Sequence, residues 1–200
     1  MTKEQIYNLL KDIELKNNTI NHILEELAKD IELEKLSSND AKNHLKKCWE
    51  IIDGFGKDFD TFYYKDSNIP NYETKQIIHS GYIAVSLVKE DMIPNVPDRF
   101  IGSYYQMEVV ENVEASIFAT DIYLLLTKDI KEDERDLTLV IDHKEIILDS
   151  KLLVKLLWLL GMQNADGVVL HYNPNNLYAP LYIEKTNGSI GMIAAKTIMG

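Results

Sequence analysis

The window LLVKLLWLLGM, residues 152 to 162, constrains this chain more than any other stretch. It is apolar almost throughout, yet it is about half the length of a bilayer span and contains Lys155. It therefore reads as a buried helix that the rest of the chain must cover, not as a membrane helix. Asp149 or Ser150 is placed to cap it and Gly161 to end it, which predicts a helix over 151–160. Trp158, one turn after Val154 and between Leu157 and Leu159, is expected to be buried with them.

Residues 1–59 read as a helical segment. Thr2 with Gln5 three positions on is a capping-box pattern. Ile6, Leu9, Leu10 and Ile13 follow helical spacing, and Ile20, Ile23, Leu24, Leu27 and Ile31 resume it after Asn17-Asn18. Ser37-Ser38-Asn39-Asp40 starts a third helix through Leu45, Cys48, Trp49 and Ile52, which ends near Gly54 and Gly56.

After Gly56 the texture changes. The spacing of Ile78, Tyr82 and Val85 predicts a helix over 73–87, with Gly81 tolerated inside it. MIPNVPDRF, with two prolines, must be irregular. Residues 101–127 read as strands with a turn at Glu111-Asn112, and KDIKEDERD as a charged loop. LTLVI and KEIILD are strands around Asp142-His143; three more strands close the chain, the last two joined at Asn187-Gly188. The order from residue 60 is two halves, each a helix followed by strands.

The charge of −11 and the isoelectric point near 4.9 argue against nucleic-acid or anionic-membrane binding by the whole surface. A hydrophobic content of 46% and a charged content of 26% are those of an ordinary globular protein. Cys48 is the only cysteine, and the start MTKEQIYNLLKDIELKNN lacks a signal-length apolar run, so a reducing, cytoplasmic setting is expected.

The search for chemistry finds no enzyme motif. DGFGKD at 53–58 lacks the spacing of a phosphate loop. The histidines at 22, 44, 79, 143 and 171 are scattered, so neither a metal site nor a cofactor is expected. Ser80-Gly81 and Ser103 lack a nucleophile-elbow context, and KEDERD lacks the glycine and terminal glutamate of a calcium loop.

The pair Thr120-Asp121 interrupts an otherwise apolar run, EASIFATDIYLLL, and can bond backbone donors at a strand end. In its setting the pair also resembles a family. Ala84-Val85-Ser86, Arg99-Phe100-Ile101-Gly102 and Ala119-Thr120-Asp121 with Leu125 follow the order of blocks in the bacterial sliding clamp, the beta subunit of DNA polymerase III. KEIILDSKLLVKLLWLL is similar to the clamp's second helix and its lead-in strand, and APLYIEKTNGSIGMIAAKTI to its last hairpin. Ile122 stands where the family has glycine, Leu124 where it has a basic residue, Ala194-Ala195 where it has Met-Pro, and Thr197 where it has arginine.

The resemblance covers residues 60–200 and implies an α+β protein, with one DNA-clamp-like domain after the helical segment 1–59. It implies a non-enzymatic scaffold linked to DNA replication or a mobile element, able to form homo-oligomers. Its DNA-facing residues would be Lys75, His79, Lys151 and Lys155. Its peptide groove would involve Thr120, Ile122, Tyr123, Leu125, Ala194 and Ala195. The acidic composition favours a second expectation: a protein-interaction module, of inhibitor or immunity type, that uses the fold without DNA.

Overall fold

The computed structural model describes residues 1–11, 18–56, 59–64, 74–96, 121–124, 136–141, 144–162, 168–173, 176 and 179–196. The expected turns at 111–112 and 142–143 and most of the charged loop lie outside the described residues. The chain is α+β, with its helical segment first. It divides into two compact units, 1–50 with 93–97, and 51–92 with 98–200; the division falls inside the third helix.

The first unit holds α1 (Lys3–Lys11), α2 (Asn18–Lys35) and most of α3 (Asn39–Asp53). The capping box is formed. Thr2 Oγ1 accepts from the Gln5 amide at 3.2 Å, and Gln5 Oε1 accepts from the Thr2 amide at 2.9 Å. Ser38 Oγ accepts from the amides of Asp40 and Ala41, which opens α3. Lys3 reaches Asp30 at 2.9 Å and Glu34 at 3.0 Å, so α1 and α2 run antiparallel. Trp49 is the unit's anchor. Its indole N–H donates to the Pro94 carbonyl at 2.8 Å, and the Lys29 ammonium lies 5.8 Å from the ring centroid. Leu45, Cys48, Ile93 and Val96 are buried in the same unit.

Among the described residues the second unit is built on an antiparallel sheet of seven strands, in the order β1-β2-β3-β9-β8-β7-β4. They are β1 (Asp60–Tyr64), β2 (Lys75–Ser80), β3 (Ile83–Leu87), β4 (Asp121–Leu124), β7 (Val168–His171), β8 (Leu181–Glu184) and β9 (Ile190–Ile193). A separate two-stranded ribbon pairs β5 (Asp136–Ile141) with β6 (Lys144–Asp149). Helix α4 (Ser150–Leu159) follows β6 directly.

The helix expected over 73–87 is instead the hairpin β2–β3. Gly81 adopts φ +55° in a two-residue loop with Tyr82, so Ser80 pairs with Ile83. Glycine first in such a loop is the pattern that matches strand twist. A helix would place Tyr82 on the face of Ile78 and Val85. Tyr82 is 67% exposed, against 1% and 0% for those two. Because all of β3 and the middle of β2 are buried on both faces, the run is apolar at both parities, and helical and extended spacing fit it equally. Of the two expected helix-plus-strands halves, the second has its helix and the first has this hairpin.

The α4 helix lies as expected. Asp149 Oδ1 accepts from the Leu152 amide at 3.1 Å. At the other end Gly161, at φ +69°, allows Met162 N–H to reach the Leu157 carbonyl at 2.8 Å. Leu153, Leu156, Leu157 and Leu159 are buried, whereas Trp158 is only half-buried, contrary to expectation. Ten residues of helix have one side turned to the sheet, and Trp158 stands off that side.

The helix rests on bare backbone. An added Cβ at Gly191 would lie 2.6 Å from Leu160 Cδ1 and 3.0 Å from Leu156 Cδ1. The row Thr61, Ile78, Val85, Gly191 and Ile183 therefore faces α4, and the alternate residues face the other side. The hairpin β8–β9 turns at Asn187 and Gly188, with Gly188 at φ +90°. Asp91, in the 3₁₀ turn Lys89–Asp91, ties that turn down by accepting from Lys185 Nζ at 2.7 Å and Asn187 Nδ2 at 2.9 Å. Burial opposes charge on Asp91, but these bonds and one from Ser189 outweigh it and hold its carboxyl below the ordinary range.

Two substitutions test this packing. Gly191→Ala should overpack the α4 seat and lower unfolding stability by about 1–3 kcal/mol, read from urea midpoints. An unchanged midpoint would mean that α4 does not sit on β9. Thr61 is fully buried and its hydroxyl has no hydrogen-bond partner. Thr61→Val keeps the shape and removes the orphan, and should raise stability by about 1 kcal/mol; a loss would show the hydroxyl to be bonded.

Candidate functional site

Four residues were expected to face DNA from two helices. Lys75 is half-buried at the start of β2, and His79 is buried on the same strand. Lys151 is exposed on the first turn of α4, and Lys155, one turn on, is half-buried with its ammonium 5.8 Å from the Phe55 ring centroid. Lys75 and His79 belong to the sheet face that points away from α4. The structure therefore joins Lys151 with Lys155 but sets them on the opposite side of the sheet from Lys75 and His79.

The expected peptide groove is spread in the same way. Ile122 and Tyr123 lie on β4, paired with Leu170 and Val169. Thr120 and Leu125 lie outside the described residues. Ala194 and Ala195 are half-buried beyond β9, where the Ala194 amide donates to the Tyr82 carbonyl at 2.8 Å. Strands β8 and β7 separate β9 from β4, so three strand spacings, roughly 14 Å, lie between the two groups.

The sheet face away from α4 carries a row of six side chains, four of them polar, that spacing in the sequence does not reveal. Register places Asp60, His79, Ala84, Met192, Tyr182 and His171 side by side across six strands. All six are buried. Their only sequence signal is a polar residue inside an apolar strand, as in QIIHS and VVLHY.

At one end of the row Asp60 and His79 are cross-strand partners, 5% and 7% exposed. Burial pushes the His79 imidazole below its ordinary pKa, and the Asp60 carboxylate offsets part of that shift. A neutral, enclosed imidazole is a poor phosphate contact. The next position on β3 is Ala84, so the row sets no hydroxyl or thiol beside His79 for nucleophilic chemistry. At the other end His171 Nε2 lies 3.1 Å from Glu184 Oε2, but off the line of a hydrogen bond. His79 and His171 are four strand spacings apart, about 19 Å, and form two separate sites.

Elsewhere, burial pushes the Cys48 thiol up to about 12, so it is no ready nucleophile. No group of three or more His, Cys, Asp or Glu side chains among the described residues is arranged to hold a metal ion. No helix of the described residues is long and apolar enough to cross a membrane. No protein-family model, curated protein or solved structure matches the chain.

His79 gives a pH prediction. Its folded pKa lies below the unfolded value of about 6.5, so the unfolded state binds the extra proton. The stability due to neutral His79 is full above the unfolded value and is lost as pH falls through it towards the folded one. Urea midpoints should therefore fall between pH 7.5 and pH 5, and His79→Gln should flatten that fall. Equal slopes in the two proteins would refute the assignment.

Proposed function

We propose that the chain works by binding another protein, as an acidic interaction module that performs no chemistry of its own. One observation carries the reading: the first two helices, α1 and α2, have no fully buried side chain among their described residues. No residue of α1 is buried, and none of the described side chains of α2, an 18-residue helix, is buried either. Leu9 is 57% exposed and Ile23 44% exposed on their amphipathic stripes. Helices of this kind gain most of their stability by burying an apolar face, and a partner supplies the missing cover. Glu25, Glu26, Asp30, Glu32 and Glu34 outnumber Lys29 and Lys35 on α2, which favours a partner with an apolar centre and a lysine- or arginine-rich rim. A cytoplasmic setting belongs to the same reading.

A second reading keeps the clamp-like scaffold on DNA, tied to replication or a mobile element and able to assemble into oligomers. Lys151 and Lys155, one helical turn apart on α4, favour it. One experiment separates the two. The native chain is titrated with linear and circular duplex DNA at low and moderate salt, and used in parallel to capture partners from lysate. The interaction reading expects no DNA binding, and a captured protein that is lost with Leu9→Asp plus Ile23→Asp while the fold is retained. Salt-sensitive binding to DNA that disappears with Lys151→Glu plus Lys155→Glu would overturn it in favour of the scaffold.

A further inference from the structure

We propose that Asn187-Gly188, at the tip of the β8–β9 hairpin, is a site of spontaneous deamidation that Asp91 holds in check, and whose acidic product unlatches the turn from the 3₁₀ segment Lys89–Asp91. The site is independent of the protein-binding reading.

Asn187-Gly188 is the sole Asn-Gly pair in the sequence. Glycine has no Cβ to shield its own nitrogen or to restrict the backbone, so ring closure onto the preceding side chain meets least hindrance at such a pair. In that step the Gly188 nitrogen attacks Asn187 Cγ, which forms a C–N bond and closes a cyclic imide. The Cγ–Nδ2 bond breaks, and Nδ2 leaves as ammonia with the proton that the Gly188 nitrogen gives up. Water then opens the imide at either carbonyl and leaves an aspartate or an isoaspartate at position 187. Asn187 is exposed, so water reaches it.

In the folded turn each participant is engaged elsewhere. Asn187 Nδ2 donates to Asp91 Oδ2 at 2.9 Å, and Asn187 Oδ1 accepts from the Ser189 amide at 3.1 Å. The Gly188 N–H donates to the Lys185 carbonyl at 3.0 Å. Attack requires the side chain to leave Asp91 and Ser189, and the Gly188 nitrogen to turn from Lys185. Asp91 is the anchor that lies outside the hairpin, and it is itself held by Lys185 Nζ at 2.7 Å from the same Oδ2. The product reverses the latch. A carboxylate at position 187 meets the Asp91 carboxylate where the amide had donated to it, with the Lys185 ammonium shared between two charges. An isoaspartate adds a main-chain carbon inside a turn that the Lys185 amide closes by donating to the Ser189 carbonyl at 2.9 Å. Ser189 Oγ accepts from the Val88 amide at 3.1 Å, so a disturbed turn is felt just beyond the end of β3.

The test ages the whole chain in mildly alkaline buffer and follows each asparagine by peptide mass spectrometry, with isoaspartate scored at position 187. The native chain should convert slowly at Asn187, and about tenfold or more faster in urea, where the turn is released. Asp91→Ala removes a hydrogen bond to a charged group and should speed conversion in buffer by about tenfold. That gain should be confined to Asn187 and leave Asn21, exposed on α2, at its native rate. Asn187→Asp, which mimics the product, should melt at a lower temperature than the native chain. Equal rates for the native chain in buffer and in urea overturn the proposal, as does an unchanged rate at Asn187 in Asp91→Ala. Acceleration shared by Asn21, or an unchanged melting temperature for Asn187→Asp, overturns it too.

Discussion

The second unit depends on the pairing of β3 with β9. That single antiparallel contact, Ile83 to Ser86 against Ile193 to Ile190, joins β1, β2 and β3 to β9, β8, β7 and β4. Both strands are buried along their whole length, which few polar sequences could tolerate. The same contact carries α4, because Gly191 lets the helix approach the backbone where a larger residue would push Leu156 and Leu160 away. Ile78, Val85 and Ile183 are buried under a leucine-rich helix, and each Å² of apolar surface removed from water contributes about 25 cal/mol. Asp91, Lys185 and Asn187 then fix the β8–β9 turn beside the end of β3, so the pairing is held at its rim as well as at its centre.

Much of this was legible in the sequence, for reasons that differ by element. The helical segment was readable because its stripes are amphipathic and its caps explicit, as Thr2-Gln5 and Ser38 show. The α4 helix was readable from Asp149 and Gly161, which mark both ends by backbone chemistry alone. The turn at Asn187-Gly188 was readable from local conformation too. The hairpin at 75–87 was not, because complete burial removes the polar alternation that distinguishes a strand from a helix. Trp158 shows the converse error: an apolar neighbourhood in sequence does not say which side of a helix meets the core.

The candidate sites were less legible than the fold. The charges grouped by a clamp-like pattern, Lys75 with Lys151 and Lys155, are parted by the sheet itself once β2 replaces a helix. The groups that do meet, Asp60 with His79 and His171 with Glu184, meet through register, and register depends on which strands become neighbours. A similar balance is seen at the ribbon. Asp136 and Asp149 are direct cross-strand partners, a repulsive arrangement, and Lys196 bonds Asp136 and lies 3.2 Å from Asp149. The lysine is drawn in by the two carboxylates, and its backbone amide donates to Ile147, so the ribbon is linked to the strand that seals the large sheet.

The β3–β9 seam also bears on how the chain reaches this state. Val85 and Gly191 are more than a hundred residues apart in sequence, whereas β1 with β2, β2 with β3 and β8 with β9 are close neighbours. Local hairpins close cheaply and quickly; a contact of such long range has to wait for the intervening chain to be gathered. Until it does, β3 and β9 are both bare edges made of apolar residues, the kind of surface that recruits another chain. The strand pairing that makes the finished sheet continuous is thus also the step at which self-association competes most directly with folding.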